Sequence, residues 1–348
     1  MHLIRQFNFA DDSSTARTVL PGVLAAGAIA SVAFLMAQLQ ISTIGHALFD
    51  PLVIGLVIGL LVRVAWKPSA RVEKGIAFAG KQLLEFAIVV LGITLNLGAL
   101  VEAGWKILVA VLLLVSMTLL VGVTLGKAMG LNVRLATLVA VGNAICGNSA
   151  IAAVAPVIRA RKEEIAAAIA LTAVLGVGVV LVLPLLVPLL NLSHERYGVV
   201  SGLSVYAVPQ VLAATFSVSA TAGQIGSLVK LTRVMMLGPV VALFAWMYRE
   251  KGEDATSKLP ISKFLPWFVI GFFLFAILRT AGLVPAGLIQ PATDLSRILT
   301  AVAMAGLGLG VDIRTVRQFG GTVVNVVLIL TILLVLSALA VTAVLGIG

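Results

Sequence analysis

Charge is what this 348-residue chain has least of: only 11% of its residues are Asp, Glu, Lys or Arg, against about 25% in soluble domains. Hydrophobic residues make up 61%, and the mean hydropathy is +1.16. A soluble protein could not hide that much apolar surface, because its surface-to-volume ratio forces polar groups outward. Cysteine is nearly absent. Cys146 stands alone, which excludes a disulfide framework. The three histidines, His2, His46 and His194, occupy terminal or loop positions and form no HExxH motif. There is no phosphate-binding P-loop to supply ATP, and Cys146 has no evident base beside it. The opening MHLIRQFNFADDSSTART lacks the basic start, apolar stretch and cleavage site of a signal peptide, so residues 1–18 read as an interfacial lead-in. The net charge of +10 sits in short basic clusters between apolar runs. That placement argues against nucleic acid as a partner and for membrane topology.

Apolar runs fill the rest. A bilayer-crossing helix needs roughly 20 apolar residues, and eleven stretches qualify as candidates: about 19–39, 48–66, 77–98, 105–128, 134–158, 164–190, 198–222, 226–249, 264–282, 293–312 and 322–347. The expectation is an all-α membrane protein, residues 1–348 forming one integral transporter unit in the lipid bilayer of a bacterial inner membrane. Lys and Arg in short loops set the orientation. Arg63, Lys67, Arg71 and Lys74 place the second connection in the cytoplasm. The N-terminus is then inside and the C-terminus outside. This alternation leaves Arg159, Arg161 and Lys162 on the outer side, against the rule. A re-entrant hairpin at 134–158 would bring them inside but would push the basic 249–263 loop out, so the eleven-span count is retained.

Transporters often contain inverted repeats that meet at the midplane in discontinuous helices. An offset of 163 aligns RLATLVAVGNAICG (134–147) with RILTAVAMAGLGLG (297–310), in the fifth and tenth spans. Approximate repeats over 48–158 and 198–312 follow, with the two broken helices crossing. A weaker rival offset of 216 sets 81–104 on 297–320.

The fifth span holds Gly142, Asn143, Cys146, Gly147, Asn148 and Ser149. Gly costs about 1 kcal/mol in a helix, and Asn and Ser favour caps. The segment therefore predicts an unwound stretch whose second half-helix would bind an anion at its N-terminus. Gly306, Gly308 and Gly310 suggest the partner break, with close helix packing as the alternative. The seventh span is the most polar. Pro209 frees the carbonyl of Val205 one turn back, and Tyr206 and Gln210 are spaced i,i+4. Intramembrane cations are functional candidates by default. Snorkelling to the interface suits Lys81 and Lys230 better than Arg233; together with Arg297 and the 159–162 cluster, these cations are expected to line an outward-facing anion vestibule. Glu85, Asn96 and Asp312 are the candidates for a coupling ion or proton.

The motifs ICGNSAIAAVAPV, KLTRVMMLGP (230–239), LPWFVIGFF (265–273) and AMAGLGLGVDI (303–313) resemble the bacterial sulfate exporter family, a family of conserved hypothetical membrane proteins. That family is similar to inverted-repeat secondary transporters of the bile-acid, arsenite and riboflavin type, in which two broken helices cross at the substrate site. The resemblance implies breaks at 143–149 and 306–310. This chain departs from it in two ways. Tyr206-Ala207 stands where many members carry a His-Glu pair, and Asn143 and Asn148 stand where many have small residues. The implied function is secondary transport of a small anion (sulfate, sulfite or an organic acid), with export suggested by the family's label. Coupling would come from a proton, from sodium held by unwound carbonyls, or from exchange. No cofactor or resident metal is expected, and homodimerisation is common in related folds. A passive anion channel and an intramembrane enzyme are the alternatives.

Overall fold

A computed structural model of the chain describes residues 12–44, 50–95, 104–248, 266–311 and 321–347. Asn96, Asp312 and the basic loop at 249–263 lie outside the described residues. Within them the chain is helical, without strands. In order, the helices are α1 (Asp12–Ile44), α2 (Pro51–Ala65), α3 (Ala70–Phe78), α4 (Leu84–Gly92), α5 (Gly104–Ala128), α6 (Val133–Ala144), α7 (Asn148–Val154), α8 (Lys162–Val182), α9 (Leu186–Leu190), α10 (His194–Ser204), α11 (Val208–Phe216), α12 (Ala220–Met235), α13 (Leu237–Met247), α14 (Trp267–Thr280), α15 (Ala286–Gly310) and α16 (Gly321–Val344). A π-helical turn, Ala79–Leu83, joins α3 to α4, and a 3-10 turn, Leu183–Leu185, joins α8 to α9.

Seven helical stretches are long and apolar enough to cross a bilayer: Thr18–Thr43, Ala70–Gly92, Gly104–Ala128, Lys162–Leu190, Ala220–Met247, Ala286–Gly310 and Gly321–Val344. The chain divides into two compact units, each discontinuous in sequence. The first is Met1–Asn96 with Trp267–Asp312, and the second is Leu97–Pro266 with Ile313–Gly348.

The first unit is assembled through glycine. A methyl group on Gly75 of α3 would fall on the carbonyl of Val19, and one on Gly22 of α1 would fall on that of Val72. Added at Gly59 of α2 it would stand 2.5 Å from the Ala305 carbonyl, and at Gly308 of α15 it would strike that of Leu56. Gly306 meets the π-turn, where a methyl group would be 2.9 Å from Ala79 Cβ. Hydrocarbon offers no hydrophobic drive for helices to associate, so backbones must approach closely enough for dispersion to do the work. This corrects one expectation. The glycines Gly306, Gly308 and Gly310 do not break the tenth span: α15 runs unbroken to Gly310, and its small residues serve packing.

The second unit corrects the topology. The stretches 134–158 and 198–222 are not single helices with a break; both reverse. In the first, α7 turns back along α6. A methyl group at Gly142 would lie 2.9 Å from Ile151 Cδ1, across the turn. Glu164, at the start of α8, lies within electrostatic reach of Arg134 at the start of α6, and a methyl group at Gly142 would be 3.4 Å from Thr172 Cγ2 further along. Since 134 matches 164 and 142 matches 172, α8 runs parallel to α6. In the second, Tyr197 of α10 donates its hydroxyl to the Ala214 carbonyl of α11 (2.9 Å), joining the entry of the hairpin to its exit. Helix α12 then runs parallel to α10: Gly198 meets Ala222, and Gly202 meets Gly226 and Val229. The unit therefore contains two helical hairpins, each followed by a long helix alongside its first arm.

Replacing Gly308 with Val should lower the thermal stability of the detergent-purified protein by about 1–3 kcal/mol or more, the usual cost of overpacking. Gly27→Ala in α1, with nothing within 4 Å of the added methyl group, should leave stability unchanged or slightly raised. Paired melting curves would check both.

Candidate functional site

The hairpin tips are built by residues that cannot continue a helix. Asn132 starts α6, its side chain accepting from the Leu135 N–H (2.9 Å). The helix ends at Ala144. Ile145 leaves the helical region (φ −118°, ψ −85°), and Gly147 takes φ 67°, ψ −123°, a conformation that favours glycine. Asn148 then opens α7. In the second tip, α10 ends at Ser204, Val205 and Ala207 are extended, and α11 begins with Pro209 in its first turn. Proline lacks the N–H that would bond one turn back. Gln210 closes this turn by accepting from the Ala207 N–H (3.2 Å).

Each ending exposes carbonyls that have run out of helical N–H partners. Two side chains of α12, one turn apart, take them. Lys230 Nζ donates to Ile145 O (2.5 Å) in the first tip and to Val205 O (2.9 Å) in the second. Arg233 Nη2 donates to Asn143 O (2.7 Å) and Ala144 O (2.8 Å), and Nε donates to Ala144 O (3.1 Å). Its Nη1 donates to Gly202 O (3.0 Å) and Val205 O (3.3 Å). Both cations are fully buried, at 0% and 1% exposure, and among the described residues no carboxylate pairs with either. One ammonium thus holds a carbonyl from each hairpin, and the two tips meet there. Tyr206 sits across from Gly147, where an added methyl group would be 3.8 Å from the Tyr206 Cβ.

Glycine makes this reach possible. Gly198 and Gly202 of α10 form a small-xxx-small face against Ala222 and Gly226 of α12, where a methyl group at Gly202 would be 2.7 Å from the Gly226 carbonyl. That spacing draws α12 close enough for its cations to reach the end of α10. Helix α8 supports the tips from another side. Thr172 donates its hydroxyl to Asn148 Oδ1 (3.2 Å), and Gln210 Nε2 donates to Ala173 O at 3.5 Å. A methyl group at Gly176 would strike the Gln210 amide, so only glycine leaves it room.

The structure therefore gathers Asn143, Cys146, Gly147, Asn148, Ser149, Tyr206, Gln210 and Arg233 around the tips, and it corrects several expected roles. Arg233 does not line a vestibule, because all five of its N–H groups bond to carbonyls. Tyr206 and Gln210 form no helical stripe, since Tyr206 lies in the tip itself. Arg161 caps its own helix through Glu164 (2.7–3.1 Å). Cys146 is buried beside the Ala150 N–H, the Ser149 side chain and the two cations. Asn148 and Ser149 are exposed. Among the buried groups without a partner, two lie at the tips: Asn143 Oδ1, whose own amide nitrogen donates to Val139 O (2.9 Å), and the Tyr206 hydroxyl. Arg297 and Glu85 belong to the first unit. There Arg297 pairs with Asp50 (3.4 Å), the N-cap of α2, and Glu85 accepts from Trp267 Nε1 (2.8 Å). From the sequence Lys230 was expected only among the vestibule cations and not as a substrate-binding residue, because snorkelling is the usual fate of an intramembrane lysine. The pair of glycines four apart in YGVVSGLS was the available clue to the close helix beside it.

A family model described as conserved hypothetical protein 698 matches residues 21–341. The chain is 43% identical to a UPF0324 membrane protein of Bradyrhizobium diazoefficiens over 317 residues, 91% of this chain and 90% of the relative. It is 45% identical to one of Agrobacterium fabrum over 306 residues, 88% and 87% of the two chains. With one of Brucella melitensis it shares 44% identity over 335 residues, 96% and 93% of the two chains. No solved structure matches.

Arg233→Lys should not substitute for arginine. A single ammonium cannot serve four carbonyls in two tips, and each orphaned buried group costs about 1–3 kcal/mol. The expected result is a Tm loss nearly as large as that of Arg233→Met, read on the purified protein.

Proposed function

The chain belongs to the conserved hypothetical protein 698 family of membrane proteins, and we propose that this member is a secondary transporter of a small anion. The observation that carries the proposal is the bond of Lys230 to one carbonyl from each hairpin. Two re-entrant tips meeting inside a helical bundle supply irregular backbone at membrane depth, which is tolerated only where protein or a water-filled cavity surrounds it. Secondary transporters build their substrate sites from such discontinuities.

The electrostatics favour an anion. A helix C-terminus carries roughly half a negative charge, so the ends of α6 and α10 together balance Arg233, which stays protonated. Lys230 and the N-terminal ends of the returning arms then tilt the site towards positive potential. The cations act at one remove, with their donors already engaged. Contact with the solute falls to the exposed Asn148 and Ser149 and to the backbone beside them. An oxyanion such as sulfate or sulfite, or a small organic acid, fits donors of this kind. Coupling to a gradient or exchange follows from the absence of an ATP-binding motif.

The same reading revises the topology. The seven long helices and two of the three shorter ones, Pro51–Ala65 and Trp267–Thr280, give nine crossings, while Val133–Ala144 is a hairpin arm. Helix α8, continued by α9, leads from the base of the first hairpin, past the tips, to the base of the second. Leu183 and Leu192 pack with Tyr197 there. The hairpins therefore enter from opposite sides, as an inverted repeat over 133–190 and 194–247. With an inside N-terminus, the clusters at 63–74, 127–134, 159–162, 249–263 and 314–317 then all fall on the cytoplasmic side of the inner membrane. Doubling back twice removes the anomaly that eleven crossings leave, and the C-terminus stays outside.

Two experiments test the proposal. In a Cys146→Ala background, a cysteine at Ala160 should react with impermeant maleimide only from the cytoplasmic side, and one at Asn191 only from outside. Eleven crossings require the reverse. In proteoliposomes, sulfate, sulfite, thiosulfate or a small organic acid should accumulate or exchange, with roughly tenfold weaker apparent affinity in Asn148→Ala, beyond the modest Tm loss that removing the Thr172 bond brings. No flux of any oxyanion or organic acid would overturn the transporter reading. Single-channel conductance would turn it into a channel.

A further inference from the structure

We propose that the meeting point of the tips is a cation site that the chain fills with its own Lys230 ammonium, so that the protein works without sodium. The inference deepens the transporter reading and rests on it only for its consequence in flux. Where two helix C-termini converge, their terminal carbonyls form a negative cage. In transporters, half-helix C-terminal ends and unwound carbonyls of this kind coordinate the coupling ion. Here the cage is real: Asn143, Ala144, Ile145, Gly202 and Val205 turn five carbonyl oxygens towards α12. Every one of them accepts from Lys230 or Arg233.

The two side chains divide the cage by shape. The planar guanidinium of Arg233 spans four of the carbonyls and has no N–H to spare. Lys230 presents a compact point charge to the remaining oxygen, Ile145 O, and shares Val205 O with Arg233. It is the group most like a small monovalent cation in charge and size, and it is the one that ties both tips together. With Lys230 and Arg233 both buried at the cage, a free sodium ion would meet the guanidinium charge and oxygens already occupied. A tethered ammonium also differs from a free ion in one functional respect: it cannot dissociate during a cycle. The tips stay joined whether or not an anion is bound, and no sodium gradient is drawn on at this place.

The test begins with the wild-type protein in detergent, titrated with NaCl against choline chloride at matched ionic strength. The expected Tm is the same in both salts. A sodium-specific rise would overturn the proposal. Lys230→Ala should lower Tm by uncovering Ile145 O and leaving Val205 O to Arg233 alone, and methylammonium should restore much of that loss with a saturable dependence, while leaving wild type unmoved. A folded Lys230→Ala that ignores both methylammonium and sodium would also overturn it. Should that variant fail to fold, the wild-type titration still decides, together with anion flux in proteoliposomes. Flux should be equal with sodium, potassium or choline on both sides, and a sodium requirement would refute the inference. Absence of flux with every anion would count against the transporter reading alone, because the salt titration needs no substrate.

Discussion

A helix that stops in a protein interior leaves its last carbonyls without partners, and most of this protein's second unit is arranged to answer that one problem twice. At the surface water would solve it. When buried, each unsatisfied group costs several kcal/mol, so the donors must come from the chain. Lys230 and Arg233 provide seven hydrogen bonds to five carbonyls from two hairpins. The need runs both ways. A buried guanidinium without a carboxylate is costly unless dipoles replace water around it, and two helix ends aimed at one point are such dipoles. Neither the tips nor the cations would be tolerable alone.

The neighbouring features follow from that pairing. Helix α12 must lie close to α10, which Gly198, Gly202, Ala222 and Gly226 permit. Gln210 has to turn back onto Ala207 and outward to α8, and Gly176 leaves the space. Thr172 fixes the amide of Asn148, so the first residue of the returning arm is held while its neighbour Ser149 remains exposed. In the proposed function, fixed charge just beneath an exposed polar tip would set the sign of the solute without touching it.

The glycines of the first unit solve a different problem with the same residue. There α15 is continuous to Gly310, and Gly59, Gly306 and Gly308 let it lie against α2 and the π-turn. Glycine-rich sequence in a membrane protein therefore carries two meanings. Gly147, with φ 67°, marks a reversal of the chain, whereas Gly308 sits in ordinary helix against another backbone. Composition does not distinguish them. The nearby Asn143, Asn148 and Ser149 do, because residues that compete for backbone hydrogen bonds have no place in a packing seam.

The sequence by itself determined the membrane environment, the positions of the apolar stretches and, in the second unit, the places where helix must fail. These follow from local chemistry: apolar run length, the missing N–H of Pro209, and the cap preferences of Asn and Ser. Val205's freed carbonyl was legible for the same reason. Only the tertiary structure decided whether each failure was a kink or a reversal, which break met which, and where Arg233 pointed. A half-helix of about ten residues reads identically whether the next one continues or returns, since the difference lies in a few dihedral angles at Ile145 and Val205. The pairing of 143–147 with 202–207 depends on contacts between residues up to 90 positions apart. Lys230 became a site residue only when α12 was seen against two tips. Its chemistry was on the page from the start, but its partners were backbone carbonyls, which every residue has and no sequence pattern singles out.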